Sequence, residues 1–178
     1  MVSIASVLAV GAIAFSLRTG SAATAPVTVA DVDDPTIVAI FDGANTADIE
    51  TGELAAKKGT TKEIRDFGAM LARDHKAVRQ LGRDLAKKLN VTPTPPKPND
   101  FATAHTAAMK QLTSVSGAEF DKTFLEHEVG YHDAVIGAIN STLLPSAKNA
   151  ELRELIVKVG PAFAAHRDAA KNMLGKLK

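Results

Sequence analysis

Residues 91–98, Val-Thr-Pro-Thr-Pro-Pro-Lys-Pro, place four prolines in eight positions. Each proline fixes φ and lacks an amide donor, so the segment can be neither helix nor central strand and reads as an extended crossover. Helical periodicity runs on both sides of it, and the crossover therefore divides the chain into two helical halves.

The first half reads as a hairpin. Asp34 is placed to cap a helix over about Pro35 to Lys58, with Pro35 early in its first turn, Lys57 and Lys58 against the C-terminal dipole and Gly59 as its stop. Thr60-x-x-Glu63 reads as a capping box opening a second helix, whose apolar residues Ile64, Phe67, Leu71, Val78, Leu81, Leu85 and Leu89 keep helical spacing to about Asn90. After the crossover, Asp100 can cap a short helix from Phe101 to about Leu112. Ser116-x-x-Glu119 reads as a capping box for a third long helix that continues to about Leu143, where Leu-Pro-Ser-Ala-Lys-Asn breaks it. Asn149 caps the last helix, in which Pro161 predicts a kink. The expected fold is all-α: an up-down four-helix bundle of two helical hairpins with a short crossover helix, occupying residues 35–178.

Composition supports that class. The apolar residues, 46% of the chain, are mostly Ala, Leu and Val, and the aromatic residues are only seven Phe and Tyr131, a mixture that favours helices over a β-sandwich. Lys and Arg number 21 against 20 Asp and Glu. The balance lacks the basic excess of a nucleic-acid binder. With no cysteine, disulfides, thiolate nucleophiles and Cys-type zinc or iron–sulfur sites are excluded. Residues 1–25 carry an apolar run followed by small residues, including Ala23-Thr24-Ala25, and read as an export signal or an N-terminal anchor, with 26–34 as a linker. The expected location is the periplasm, cell envelope or exterior, with membrane contact only through that segment if it is retained. The run is short of the ~20 residues that span a bilayer.

Sorting polar residues by helical face isolates a candidate site. In the second helix the apolar stripe leaves a slot that His75 fills, one turn after Leu71. In the third, the stripe Leu125, Val129, Ile136, Ile139, Leu143 leaves its slot at His132. In the last, Leu152, Ile156, Val159, Phe163 and Ala170 leave theirs at His166. In the first helix Ile37, Phe41, Ala44, Thr51 and Ala55 point to Asp48, with Glu50 and Glu53 off that line. Each of these residues sits near mid-helix, so the four could meet at one level. Glu128, one turn before His132, is either a further ligand or a partner that holds an imidazole tautomer. His127 reads as a boundary residue, His105 has no evident partner, and Asp74, Glu126 and Asp133 read as solvated or salt-bridged acids.

Neutral imidazoles with a carboxylate suit Zn²⁺, Fe²⁺, Mn²⁺ or Cu²⁺, and bundle cores host such sites. The paired Glu-x-x-His pattern of two-metal carboxylate bundles is missing, which disfavours a dinuclear centre. The competing reading is a polar network of His75, His132, His166 and Asp48 that sets helix register with no ion. Gly-rich phosphate loops, a GxxxxGK motif, a nucleophile elbow and HExxH are all absent, so nothing anchors a nucleotide or hydrolase reading.

The segments Asn45–Val91, Phe120–Ile136 and Pro161–Leu174 resemble the bacterial family of exported proteins defined by domain of unknown function 4142. The most specific piece is Phe67-Gly68-x-Met70-Leu71-x-x-Asp74-His75, close to the family's Phe-Ala-x-x-Met-Val-x-Asp-His. Asp48-Ile49-Glu50 stands where the family commonly has Glu-Ile-Glu, which keeps a carboxylate at the inner position. The resemblance covers about residues 35–176 and implies a ferritin-like helical fold and export, but no activity. Two functions stand from the sequence: an exported bundle binding a transition metal through His75, His132 and His166 with Asp48 or Glu128, or a non-enzymatic envelope or stress-related interaction protein with a structural His/Asp network.

Overall fold

The structure is a computed structural model that describes residues 32–177; the expected leader and most of the expected linker lie outside them. The described residues form α1 (Asp34–Lys58), α2 (Lys62–Lys88), α3 (Asp100–Ser114), α4 (Gly117–Ala138), a π-helical turn over Ile139–Leu143, the short α5 (Leu144–Ser146) and α6 (Ala150–Lys176), with no strand among them. The all-α reading holds. None of these helices is long and apolar enough to cross a membrane.

Cap residues differ from expectation by one position in three places, because the residue that caps is the one whose backbone lies outside the helical region. Asp33, not Asp34, accepts from the Thr36 amide of α1 at 2.9 Å. Asp34 instead accepts from the Lys148 and Asn149 amides at 2.9 and 3.0 Å, tying the start of α1 to the loop before α6. Thr61, not Thr60, caps α2 through the Ile64 amide at 3.2 Å. Asn99, not Asp100, caps α3. Ser116 makes no side-chain cap bond, and Asn149 caps α6 as expected. The helix α6 runs through Pro161, where proline leaves the carbonyl one turn earlier, at Val157, without its amide donor. That residue is 58% exposed, so water can satisfy the carbonyl.

Cross-helix contacts give the chain directions. Thr51 meets Glu128 and Ala44 meets Tyr131, so α1 and α4 are antiparallel. Lys88 pairs with Glu151 and Lys176 with Glu63, so α2 and α6 are antiparallel. With hairpins α1–α2 and α4–α6, the order of directions is up-down-down-up, and α2 and α4 run the same way. The proline crossover makes this possible by returning the chain along the bundle before α4 begins, where a short loop would have reversed it.

The α1–α2 hairpin packs through two glycines. A Cβ on Gly52 would lie 2.6 Å from the Gly68 carbonyl oxygen, and one on Gly68 would lie 2.6 Å from that of Gly52. No larger residue permits this approach.

Two apolar cores result. One gathers Phe41, Val135, Ile139, Leu152, Ile156 and Phe163; the other gathers Ile64, Phe67, Leu71, Phe120, Phe124 and Leu125. Between them, at mid-bundle, lies a buried layer of polar side chains.

Candidate metal centre

The layer contains Asn45, Asp48 and Thr51 from α1, His75 from α2, Glu128 and His132 from α4 and His166 from α6, all buried. Four helices thus each present at least one polar side chain at the same level. Every residue singled out as a candidate ligand is among them. His75, His132 and His166 each offer a ring nitrogen within 4.8 Å of the others, and Asp48, Glu128 and His132 form a second such group. Ring centroids of the three histidines are 5.1–5.7 Å apart.

Each imidazole has one nitrogen held by a group that can only accept, and this decides its tautomer. Asn45 Nδ2 donates to the Phe41 carbonyl at 2.8 Å, so Asn45 Oδ1 faces His75 Nδ1 at 2.9 Å and takes its proton. His132 Nδ1 donates to the Glu128 carbonyl at 2.9 Å. His166 Nε2 donates to the Asp74 carboxylate at 3.3 Å. The remaining nitrogens, His75 Nε2, His132 Nε2 and His166 Nδ1, therefore carry lone pairs. His75 Nε2 and His166 Nδ1 face each other at 3.2 Å, a separation at which two acceptors repel unless a proton or a cation lies between them.

The carboxylates add to this. Glu128 Oε1 accepts from Thr51 Oγ1 at 2.8 Å. Glu128 Oε2, both oxygens of Asp48 and His132 Nε2 have no hydrogen-bond partner although all are buried. An unpaired buried polar group costs roughly 1–3 kcal/mol, so the layer is costly as it stands, and its groups could hold a metal ion. His132 Nε2 lies 3.9 Å from Asp48 Oδ1, and Asp48 Oδ2 lies 3.4 Å from His75 Nδ1.

Burial without an ion favours the uncharged forms. It lowers His75 to about 2 and His132 to about 4, and it lowers His166 as well, with Asp74 opposing. Burial pushes Glu128 up to about 7 and Asp48 well above the usual carboxylate range, where the neighbouring Glu128 charge adds to the rise. Proton bridging between His75 and His166 is therefore costly. A divalent cation would offset two carboxylate charges at once, and no Lys or Arg contacts either carboxylate among the described residues.

Some assignments change. Asp74, 34% exposed, is salt-bridged to Arg73 as expected, and it also holds His166, a role not expected of it. His105 has a partner, Glu50, at 2.8 Å. Leu81, expected in the α2 stripe, is 44% exposed, because the inner face there passes through Gly82, which packs on the Phe41 ring. His127 is half-buried against Tyr131, a boundary position as expected. Asp133 pairs with Arg167 and Lys171 at the surface, and Glu126 pairs with Lys122. Asn45 was not singled out from the sequence, although it lies three residues before Asp48 on the same helical face and could have been.

A family model described as "Domain of unknown function (DUF4142)" matches residues 18–173. No curated protein and no solved structure matches the chain.

Proposed function

The chain belongs to the DUF4142 family, whose description assigns no activity, and we propose that it is a metal-binding bundle holding one divalent transition-metal ion between His75, His132 and His166, with Asp48 or Glu128 completing the set. The observation that carries this reading is the convergence of three imidazole lone pairs, each oriented from behind by an acceptor: the Asn45 amide oxygen, the Glu128 carbonyl and the Asp74 carboxylate. Such outer partners fix the tautomer and aim of metal-bound histidines. On one tetrahedral ion with bonds of about 2.0–2.1 Å, ligand nitrogens lie roughly 3.3 Å apart, close to the 3.2 Å between His75 Nε2 and His166 Nδ1.

The donor set of nitrogen and carboxylate oxygen suits Zn²⁺, Fe²⁺, Mn²⁺ or Cu²⁺. A role in metal handling or in a redox task follows from the ion chosen. The export reading of residues 1–25 places the site in the cell envelope or outside the cell. The competing interaction protein with a metal-free network would leave His75 Nε2 against His166 Nδ1 without a shared proton, and the geometry disfavours it.

Elemental analysis of protein purified without a histidine tag tests the proposal. One equivalent of a transition metal is expected, lost in His132→Ala. Less than about a tenth of an equivalent, with no rise in melting temperature on adding any of the four ions, refutes it.

A further inference from the structure

A cavity of about 380 Å³ lies between α1, α4 and the proline crossover. Its walls include Phe41, Phe101, Phe163, Pro96, Pro98 and Ile139. Its inner end is formed by Asn45 and Phe163, the residues that also back the imidazole cluster: Asn45 holds His75, and the Phe163 ring lies 5.2 Å from the His75 ring. We propose that this cavity is a binding site for an uncharged, predominantly apolar small molecule, separate from the metal centre and seated against its Asn45 and Phe163 wall.

The lining determines the ligand class. No Lys or Arg contributes to it, so an anionic head group finds no partner, and the only carboxylate is Asp100, an exposed residue at the start of α3. Asn45 has its amide nitrogen and oxygen committed to Phe41 and His75, leaving Thr36 and Thr142 as the uncharged polar side chains of the wall. Water confined there meets few donors or acceptors, whereas three phenyl rings and two prolines reward apolar contact. The volume falls within the ~300–1,000 Å³ range of small-molecule pockets. The walls are also well held on two sides, by α1 and by α4 with its π turn; the third side is the crossover, bonded to α1 through the Thr94 amide and the Pro35 carbonyl at 3.1 Å.

The test uses the full chain and N-phenyl-1-naphthylamine, an uncharged dye that fluoresces on leaving water. A saturable rise with one site per chain is expected. Ala138→Phe and Thr142→Phe, each adding bulk to the cavity wall, should weaken binding by at least about tenfold at unchanged helical circular dichroism; if one fails to fold, the other decides. His132→Ala should still bind the dye, because the site is not the imidazole cluster. No saturable rise in the unaltered chain, equal binding by the folded cavity-filled variants, or loss in a folded His132→Ala each overturns the proposal. A chain that binds dye but holds no metal defeats the metal reading alone. One that holds metal but not dye defeats this one alone.

Discussion

Asn45 Oδ1 accepts the His75 Nδ1 proton at 2.9 Å while Asn45 Nδ2 is anchored on the Phe41 carbonyl at 2.8 Å, so one turn of α1 sets the orientation of a ring on α2. The pair turns His75 Nε2 toward His166. Asn45→Ala removes this support without touching a proposed ligand. Metal affinity should fall roughly 10–100-fold in chelator competition. The metal-free chain should lose about 1–3 kcal/mol in urea unfolding, because His75 Nδ1 is left with only Asp48 at 3.4 Å. Unchanged affinity would remove Asn45 from the site.

Glu128 provides a pH test in the chelated protein. Burial raises it from 4.5 to about 7, so the folded chain holds its proton more tightly than the unfolded chain does. Its contribution to stability is present below pH 4.5 and is lost as pH rises through about 7. His132, lowered from 6.5 to about 4, acts in the opposite sense: its contribution is present above pH 6.5 and is lost as pH falls toward 4. Glu128→Gln removes the first effect and with it the part of the Asp48 rise that the Glu128 charge adds, which has the same sign. The melting temperature of the variant relative to the unaltered chain, both in chelator, should therefore rise from pH 4.5 to pH 8. A difference that stays flat over that window contradicts the placement of a titrating carboxyl there.

Gly68→Ala tests the hairpin that positions Asp48 against His75. Its Cβ would lie 2.6 Å from the Gly52 carbonyl and 2.8 Å from the Ala55 Cβ, and backbone cannot yield cheaply. Forcing α1 from α2 should cost about 1–3 kcal/mol and weaken metal binding, since Asp48 and His75 lie on the two separated helices. Gly130→Ala, where a Cβ meets nothing within 4 Å, is the matched control and should leave both properties unchanged or slightly improved through helix propensity.

His127 and His132 share α4 and differ in their surroundings. His127 is half-buried beside Tyr131 at a ring separation of 5.5 Å, whereas His132 is fully buried with an unpartnered Nε2. His127→Gln should retain full metal content, and His132→Gln should lose it. Metal analysis of the two variants side by side checks this, and equal loss in both would mean that the layer has been misplaced.

Much of the site was legible because helical periodicity is a local property. His75, His132 and His166 each fill a gap in an apolar stripe, and a gap filled by a polar residue on an inner face points into the core whatever the partner helix is. Glu128 was harder to place: it sits one turn before His132, and only the close packing of α1 on α4 brings Thr51 to its Oε1 and buries it fully. The contact of Asp74 with His166 was hidden for a similar reason. Its neighbour in sequence is exposed Arg73, but its partner in space is His166, 92 residues away. The cap residues were displaced by one position because adjacent candidates such as Asp33 and Asp34 are chemically equivalent, and the backbone conformation at the chain's turn into the helix chooses between them.

The sequence alone therefore determined the all-α class, the helix spans to within a turn, the crossover at residues 91–98 and the inward face of each helix, since these follow from proline stereochemistry and a 3.6-residue repeat. Only the tertiary structure decided the up-down-down-up order of directions, the glycine contact between α1 and α2, the tautomer of each histidine and the facing of lone pairs at mid-bundle. Those depend on distances between residues far apart in the chain. Hydrogen bonds and repulsion between lone pairs change over fractions of an ångström, a scale that residue spacing along one helix does not carry.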